Sequence, residues 1–198
     1  FKLLLAIGMT LVIASGGIDL SVGSILSLSA IFTALCMKQN IPVWLAILVG
    51  LLSGILMGLI NGALIHFTGI NAFIITLGTS FLYRGLALIV TRGTPVSKLP
   101  AAYRAFGGGD IFQVESGVYM ALLVLLLSIR LLYKMRWGHY ITTLGGNPVA
   151  LRRCGVRTGA WRISTFAVMG FLAALAGIII SARLNSAEPN AGLNMEMD

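Results

Sequence analysis

Residues 43–67, VWLAILVGLLSGILMGLINGALIHF, decide the fold class. The run carries no charge apart from the titratable His66. A bilayer core needs about 20 apolar residues per helix, so this stretch is long enough to cross a membrane. Gly50, Gly54, Gly58 and Gly62 recur at every fourth position. At helical spacing they form a smooth, slowly drifting stripe on which a second helix backbone can lie closely. Packing within one subunit is the expected use of this stripe, and a seam between two subunits is the alternative.

The rest of the chain agrees with a membrane solvent. Hydrophobic residues make up 58%, charged residues only 10%, and the mean hydropathy is +0.96. A soluble domain carries about 25% charged residues. The expected fold is all-α, a polytopic transmembrane helix bundle with five to six membrane segments in a single domain over residues 1–198. The net charge of +8 does not indicate nucleic acid, because the basic residues gather at membrane exits and no basic face interleaved with aromatics is present. Cys36 and Cys154 lie in unlike surroundings, so neither a disulfide nor a metal site is expected. The chain opens in an apolar run without Met and stops at Glu196-Met197-Asp198, which reads as a piece truncated at both ends.

Further spans are expected over residues 72–90, 118–132 and 163–182. The first contains Thr76, Thr79, Ser80 and Arg84, and the arginine either snorkels to the nearby exit or lines a pore. From Arg130, near the end of the span 118–132, to Arg162 stand Arg130, Lys134, Arg136, Arg152, Arg153, Arg157 and Arg162 with no acidic residue. The positive-inside rule makes that loop cytoplasmic. By alternation the loop 91–117, the turn 38–42 and the tail 183–198 face outward, and the turn at Thr68-Gly69 faces the cytoplasm.

Residues 3–37 are too long for one ordinary span and too short for two full ones. The break SGGIDLSVGS, residues 15–24, resolves this either as a tight inner turn or as a discontinuous helix within the membrane. Gly16 and Gly17 stop the incoming helix. Asp19 is suited to accept the amide hydrogens of Ser21 or Val22, with the helix restarting at Leu20. It serves either as a cap alone or as a cap that also lines a path. The cytoplasmic loop has its own punctuation. In GGNPVALRRCG, residues 145–155, Asn147 stands at an N-cap, Pro148 at the first helical position and Gly155 just past the end. A helix of two turns is unstable alone in water, so a protein partner or the membrane surface is expected to hold it.

Four ordered stretches carry a family resemblance: LLAIGMTLVIASGGIDLSVGSILSLSA (4–30), NAFIITLGTSFLYRGLALIVTRGTPVS (71–97), WGHYITTLGGNPVALRRCGV (137–156) and LAGIIISARLNSAEPNAG (175–192). Together they resemble the permease subunits of bacterial ABC importers for ribose, xylose, arabinose, galactose and autoinducer-2. The resemblance implies a multi-pass protein of the bacterial inner membrane that works with a second permease subunit, identical or different, a periplasmic sugar-binding protein and a cytoplasmic ATPase subunit. ATP and Mg would belong to that ATPase; the chain lacks G-x-x-x-x-G-K-[ST], and the permease itself is no enzyme and holds no cofactor.

Within the loop 134–162, Gly146, Asn147, Pro148, Ala150, Leu151, Arg152, Gly155 and Val156 resemble the helix that couples to the ATPase. A neutral sugar calls for hydroxyls, amides and an aromatic face, so Asp19, Ser21, Asn71, Phe73, Thr76 and Asn185 are the expected path residues. Asn71 and Asn185 could equally be helix caps, and Phe73 could face lipid. Glu188 and Asn190 are the expected contacts of the binding protein. Two alternatives are a branched-chain amino-acid ABC permease and a gradient-driven secondary transporter, which would use Asp19 as an ion relay.

Overall fold

The structure, a computed structural model, describes residues 1–111, 114–193 and 195; the end at Glu196-Met197-Asp198 lies outside the described residues. Nine helices are described: α1 (Lys2–Ala14), α2 (Val22–Lys38), α3 (Val43–Thr68), α4 (Ala72–Thr91), α5 (Ala101–Gly108), α6 (Ser116–Lys134), α7 (Arg136–Gly146), α8 (Pro148–Arg153) and α9 (Thr158–Leu184). Four of them, α3, α4, α6 and α9, are long and apolar enough to cross a membrane, and α1 and α2 are shorter apolar helices. The chain is thus a polytopic helical membrane protein, with six apolar segments in one bundle.

The glycine stripe is spent inside the subunit. A Cβ on Gly54 would meet the carbonyl of Gly170 and the side chain of Ala174, one on Gly58 the carbonyl of Phe166, and one on Gly62 the backbone of Ile163. Gly170 of α9 returns the contact against the Gly54 carbonyl, and Gly177 lies on the backbone of Leu26. Helices α3 and α9, of 26 and 27 residues, are each about 40 Å long, and they run antiparallel along this seam. In hydrocarbon the hydrophobic effect does not drive helices together, so close backbone approach is what holds such a pair. On α3, Leu48, Leu52 and Leu56 stay exposed, a face suited to lipid.

Helix α2 lies buried between α3 and α9. Helix α1, which packs on α9 rather than on α2, runs the opposite way. Gly8 rests on Met169 and Leu172, while Gly16 reaches the backbone of Gly145. Onward, α2 passes Asn61, then Gly177, and ends where Lys38 Nζ donates to the Lys98 carbonyl at 3.3 Å. The stretch 15–21 is therefore a reversing turn between antiparallel helices, at the end of the bundle that carries the basic loops. Helix α2 begins at Val22, later than the expected restart at Leu20. The reason is local: the Leu20 amide is taken by Thr76 and the Ser21 amide by Asp19, so both residues belong to the turn.

The loop 91–117 holds more structure than its proline and glycine content suggests. Helix α5 lies against the last turns of α9, with Tyr103 fully buried and its hydroxyl 3.0 Å from the Ile178 carbonyl and 2.6 Å from Ser181 Oγ. Beside it, β1 (Val96–Ser97) pairs antiparallel with β4 (Ser186–Ala187), and β2 (Asp110–Ile111) with β3 (Val114–Glu115). At the basic end, α7 precedes the expected short helix α8 and is anchored by Trp137 Nε1 donating to Ser164 Oγ at 3.1 Å and by Tyr140 ring contact with Trp161.

Replacing Gly58 by Leu forces a side chain into the Phe166 backbone, whereas Gly85 on α4 has open space around it. Overpacking of this kind costs about 1–3 kcal/mol or more. Size-exclusion profiles of the detergent-extracted protein should show Gly58→Leu losing most of its monodisperse peak and Gly85→Leu keeping it.

Candidate functional site

The α1–α2 turn is built by hydrogen bonds that leave the helical register. The amide of Gly17 closes α1 on the Val12 carbonyl at 3.0 Å, and Gly16 takes φ +79°, a conformation that suits glycine. Asp19, 0% exposed, then folds over the start of α2. Its Oδ1 accepts the Ser21 amide at 2.8 Å and the Ser21 hydroxyl at 2.6 Å, so the expected amide bond forms, but it closes the turn rather than capping α2, whose N-cap is Ser21 with no side-chain cap bond. Its second oxygen, Oδ2, has no hydrogen-bond partner among the described residues.

Two further helices bind this turn. Asn61 of α3 donates from Nδ2 to Ser21 Oγ at 2.7 Å, and Tyr83 of α4 has its hydroxyl 3.2 Å from Asn61 Oδ1 and 3.1 Å from the Met57 carbonyl. Lower on α4, Thr76 Oγ1 accepts the Leu20 amide at 3.0 Å and lies 3.2 Å from the Ile18 carbonyl and 2.8 Å from that of Ala72. Asp19, Ser21, Asn61 and Thr76 are all fully buried. The outcome is one polar cluster that joins α2, α3 and α4 inside an apolar bundle.

Of the expected path residues, Asp19, Ser21 and Thr76 meet here. Asn71 and Phe73 stand one turn before Thr76, with Asn71 Oδ1 capping the Phe73 amide at 3.0 Å and the Phe73 ring exposed. Asn185 is at the opposite end of the bundle. It ends α9 in the left-handed conformation, φ 52°, and its Oδ1 accepts the Leu99 amide at 3.2 Å. Glu188 and Asn190 are exposed at that same end, beside the Arg183–Glu115 ion pair of 2.8 Å. Arg84 is half-buried on α4, next to Tyr83.

Asn61 and Tyr83 are the members of this polar cluster that sequence reasoning passed over. The signal was present for Asn61: a lone amide in an apolar span is costly unless another polar group meets it.

Helix α8 has the caps its sequence announces. Asn147 Oδ1 accepts the Ala150 amide at 2.9 Å, and Gly155, at φ +77°, sends its amide to the Arg152 carbonyl at 3.0 Å. Leu151, 5% exposed, is the residue that seats α8 on its own chain, which packs α8 against α7 and α9. Val149, 59% exposed, faces away together with Arg152, Arg153 and Cys154. Three residues before α8 begins, Gly145 of α7 touches the backbone of Ala14 and Gly16. The surface helix and the buried turn are thus one backbone contact apart. Among the described residues no three His, Cys, Asp or Glu side chains group as a metal site.

The family profile for the permease component of branched-chain amino acid transport systems matches residues 2–198. The chain belongs to this permease family. The permease is 37% identical over 199 residues to the ribose import permease protein of Haemophilus influenzae and 38% identical over 197 residues to that of Bacillus subtilis. It is 36% identical over 194 residues to the D-allose transport system permease protein of Escherichia coli. Each alignment takes in 98% of this chain but only 62%, 61% and 60% of the respective relative, so the chain spans about three-fifths of their length. No solved structure matches it.

Removing the cap with Asn147→Ala costs α8 about 1 kcal/mol. Amide exchange at Ala150, followed by mass spectrometry on the intact permease, should speed up by about fivefold, with α9 amides unchanged.

Proposed function

We propose that the chain is the membrane-spanning permease subunit of an ATP-binding-cassette importer of the bacterial inner membrane, moving a monosaccharide or similar small polyol by alternating access. One observation carries the reading: a capped surface helix with an outward apolar and basic face lies one backbone contact from a buried cluster of hydroxyls, an amide and one carboxyl. The first is a docking surface, and the second is chemistry suited to hydroxyls.

In this mechanism a separate cytoplasmic ATPase subunit binds ATP and Mg and grips α8, whose Val149, Arg152 and Arg153 offer an apolar anchor and two cations. Closure of the ATPase dimer moves α8 and α7 together. Gly145 then presses on the Gly16 backbone, and the displacement enters the α1–α2 turn. Asn147 and Leu151 act here by keeping α8 rigid and seated. A periplasmic sugar-binding protein delivers substrate at the opposite end, near Glu188 and Asn190, and a second permease subunit completes the pathway. The basic end is cytoplasmic by the positive-inside rule.

The substrate class rests on the polar cluster and on the relatives. Hydroxyls of Ser21, Thr76 and Tyr83, the amide of Asn61 and the carboxyl of Asp19 offer the donors and acceptors that a sugar recognises. An amino acid would need a cation for its carboxylate, and the cluster supplies none. The relatives named for ribose and D-allose favour the sugar over the amino-acid reading.

Val149→Asp changes only an exposed side chain, so the variant should insert and fold as the parent does, yet co-purify with less than a tenth of the ATPase and lose uptake of labelled ribose and allose in proportion. Leu151→Asp, which places a charge on the buried face of α8, should also loosen α8 itself, raising its amide exchange. Parental ATPase recovery and uptake in Val149→Asp would remove the α8 docking surface.

A further inference from the structure

Helix α4 is attached differently from the rest of the bundle. The α3–α9 seam is backbone against backbone, yet a Cβ on either glycine near the middle of α4, Gly78 or Gly85, would meet nothing. Its buried face is polar instead: Thr76, Thr79, Ser80, Tyr83 and Thr91 point inward, while Phe81, Leu82 and Ile89 are exposed. Thr76 and Tyr83, two turns apart on one face, make the hydrogen bonds that leave α4, Thr76 to Ile18 and Leu20 of the turn and Tyr83 to Met57 and Asn61 of α3. In hydrocarbon the hydrophobic effect does not drive helices together, so these bonds, added to the packing of α4 on α2 through faces that include Ala72 and Ala87, fix where α4 stands.

The bonds also have a direction. Tyr83 donates to Asn61, Asn61 donates to Ser21, and Ser21 donates to Asp19. Each donor is used by an acceptor nearer the turn, and the chain ends on a buried carboxyl. The Tyr83 hydroxyl has a single proton and two acceptors at almost equal distance, Met57 O at 3.1 Å and Asn61 Oδ1 at 3.2 Å. It can leave Asn61 without leaving α3, which makes this the link that yields first.

We propose that Asn61 and Tyr83 are positioning residues for transport, forming with Ser21 and Asp19 a clasp that, beside the direct bonds of Thr76 to Leu20 and Ile18, holds α4 against the α1–α2 turn and that opens when the turn is pushed from the α7 side. This rests on the alternating-access reading above. The clasp gives that reading its moving part: α4 swings while the α3–α9 seam stays. The hydroxyls and amide released by opening are then free for a polyol.

The test uses the full-length permease with its ATPase and binding protein in proteoliposomes, with Cys36 and Cys154 replaced by Ser and a single reporter thiol at Ser80→Cys on the buried face of α4. Tyr83→Phe and, independently, Asn61→Leu should raise the rate of maleimide labelling on the order of tenfold, the effect of losing about one good hydrogen bond. Tyr103→Phe, which removes an equally buried hydroxyl bonded to α9, should leave labelling unchanged. Among the transport readouts, ATP hydrolysed per sugar moved should rise several-fold in Tyr83→Phe, whereas a variant that is merely less stable lowers both rates together. Labelling at the parental rate in both clasp variants, equal labelling in Tyr103→Phe, or an unchanged ratio of ATP to sugar would overturn the proposal. Fast labelling in a protein that moves no sugar would leave the clasp standing and remove the transport reading instead.

Discussion

The structure depends on two backbones meeting without side chains between them. Where Gly54 and Gly58 of α3 face Gly170 and Phe166 of α9, carbonyls occupy the space that Cβ atoms would need. Because lipid tails solvate leucine as well as another helix does, contact of this kind is the principal source of helix association in a membrane. The seam fixes a rigid pair about which α1, α2 and α5 are arranged. Helix α2 nests against both members of the pair through Gly50 and Gly177, and α5 closes over the far end through Tyr103.

Helix α4 stands outside that frame. It uses hydroxyls where α3 uses glycines, and a hydrogen bond can be exchanged for another in a way that a backbone seam cannot. Bundles that must hold together and also move need both kinds of contact, and this chain separates them by helix. The buried turn at Asp19 is where the two meet, since it is fixed to α3 by Asn61, to α4 by Thr76, and to the surface helices by the Gly16–Gly145 contact.

Much of this was legible in the chain because it is local or periodic. The fourfold glycine spacing announced the seam, the Gly-Gly-x-Asp run announced a helix end and the bond of Asp19 to the Ser21 amide, and Asn147-Pro148 with Gly155 announced α8. What could not be read is what depends on long-range register. Tyr83 and Asn61 are 22 residues apart on different helices, and nothing near either names the other. Tyr103 sits in a stretch punctuated like a loop, and only the groove along α9 makes it part of the core. Leu151 was legible as an apolar residue of α8 but not as one facing its own chain, because six residues of helix present too little periodicity to orient a face. Asn185 reads as a polar group near a membrane exit, and its left-handed backbone and bond to Leu99 follow from the β1–β4 pairing beside it.

The central claim is that force enters at α8 and is supplied by ATP. It is tested most directly by the energy source for uptake of labelled ribose and allose in cells expressing the full-length permease with its partner genes. ATP depletion with the proton gradient intact should abolish uptake, and collapse of the gradient with ATP held constant should leave it. The reverse pattern would contradict the account, and would turn Asp19 from a residue that closes the turn into an ion relay.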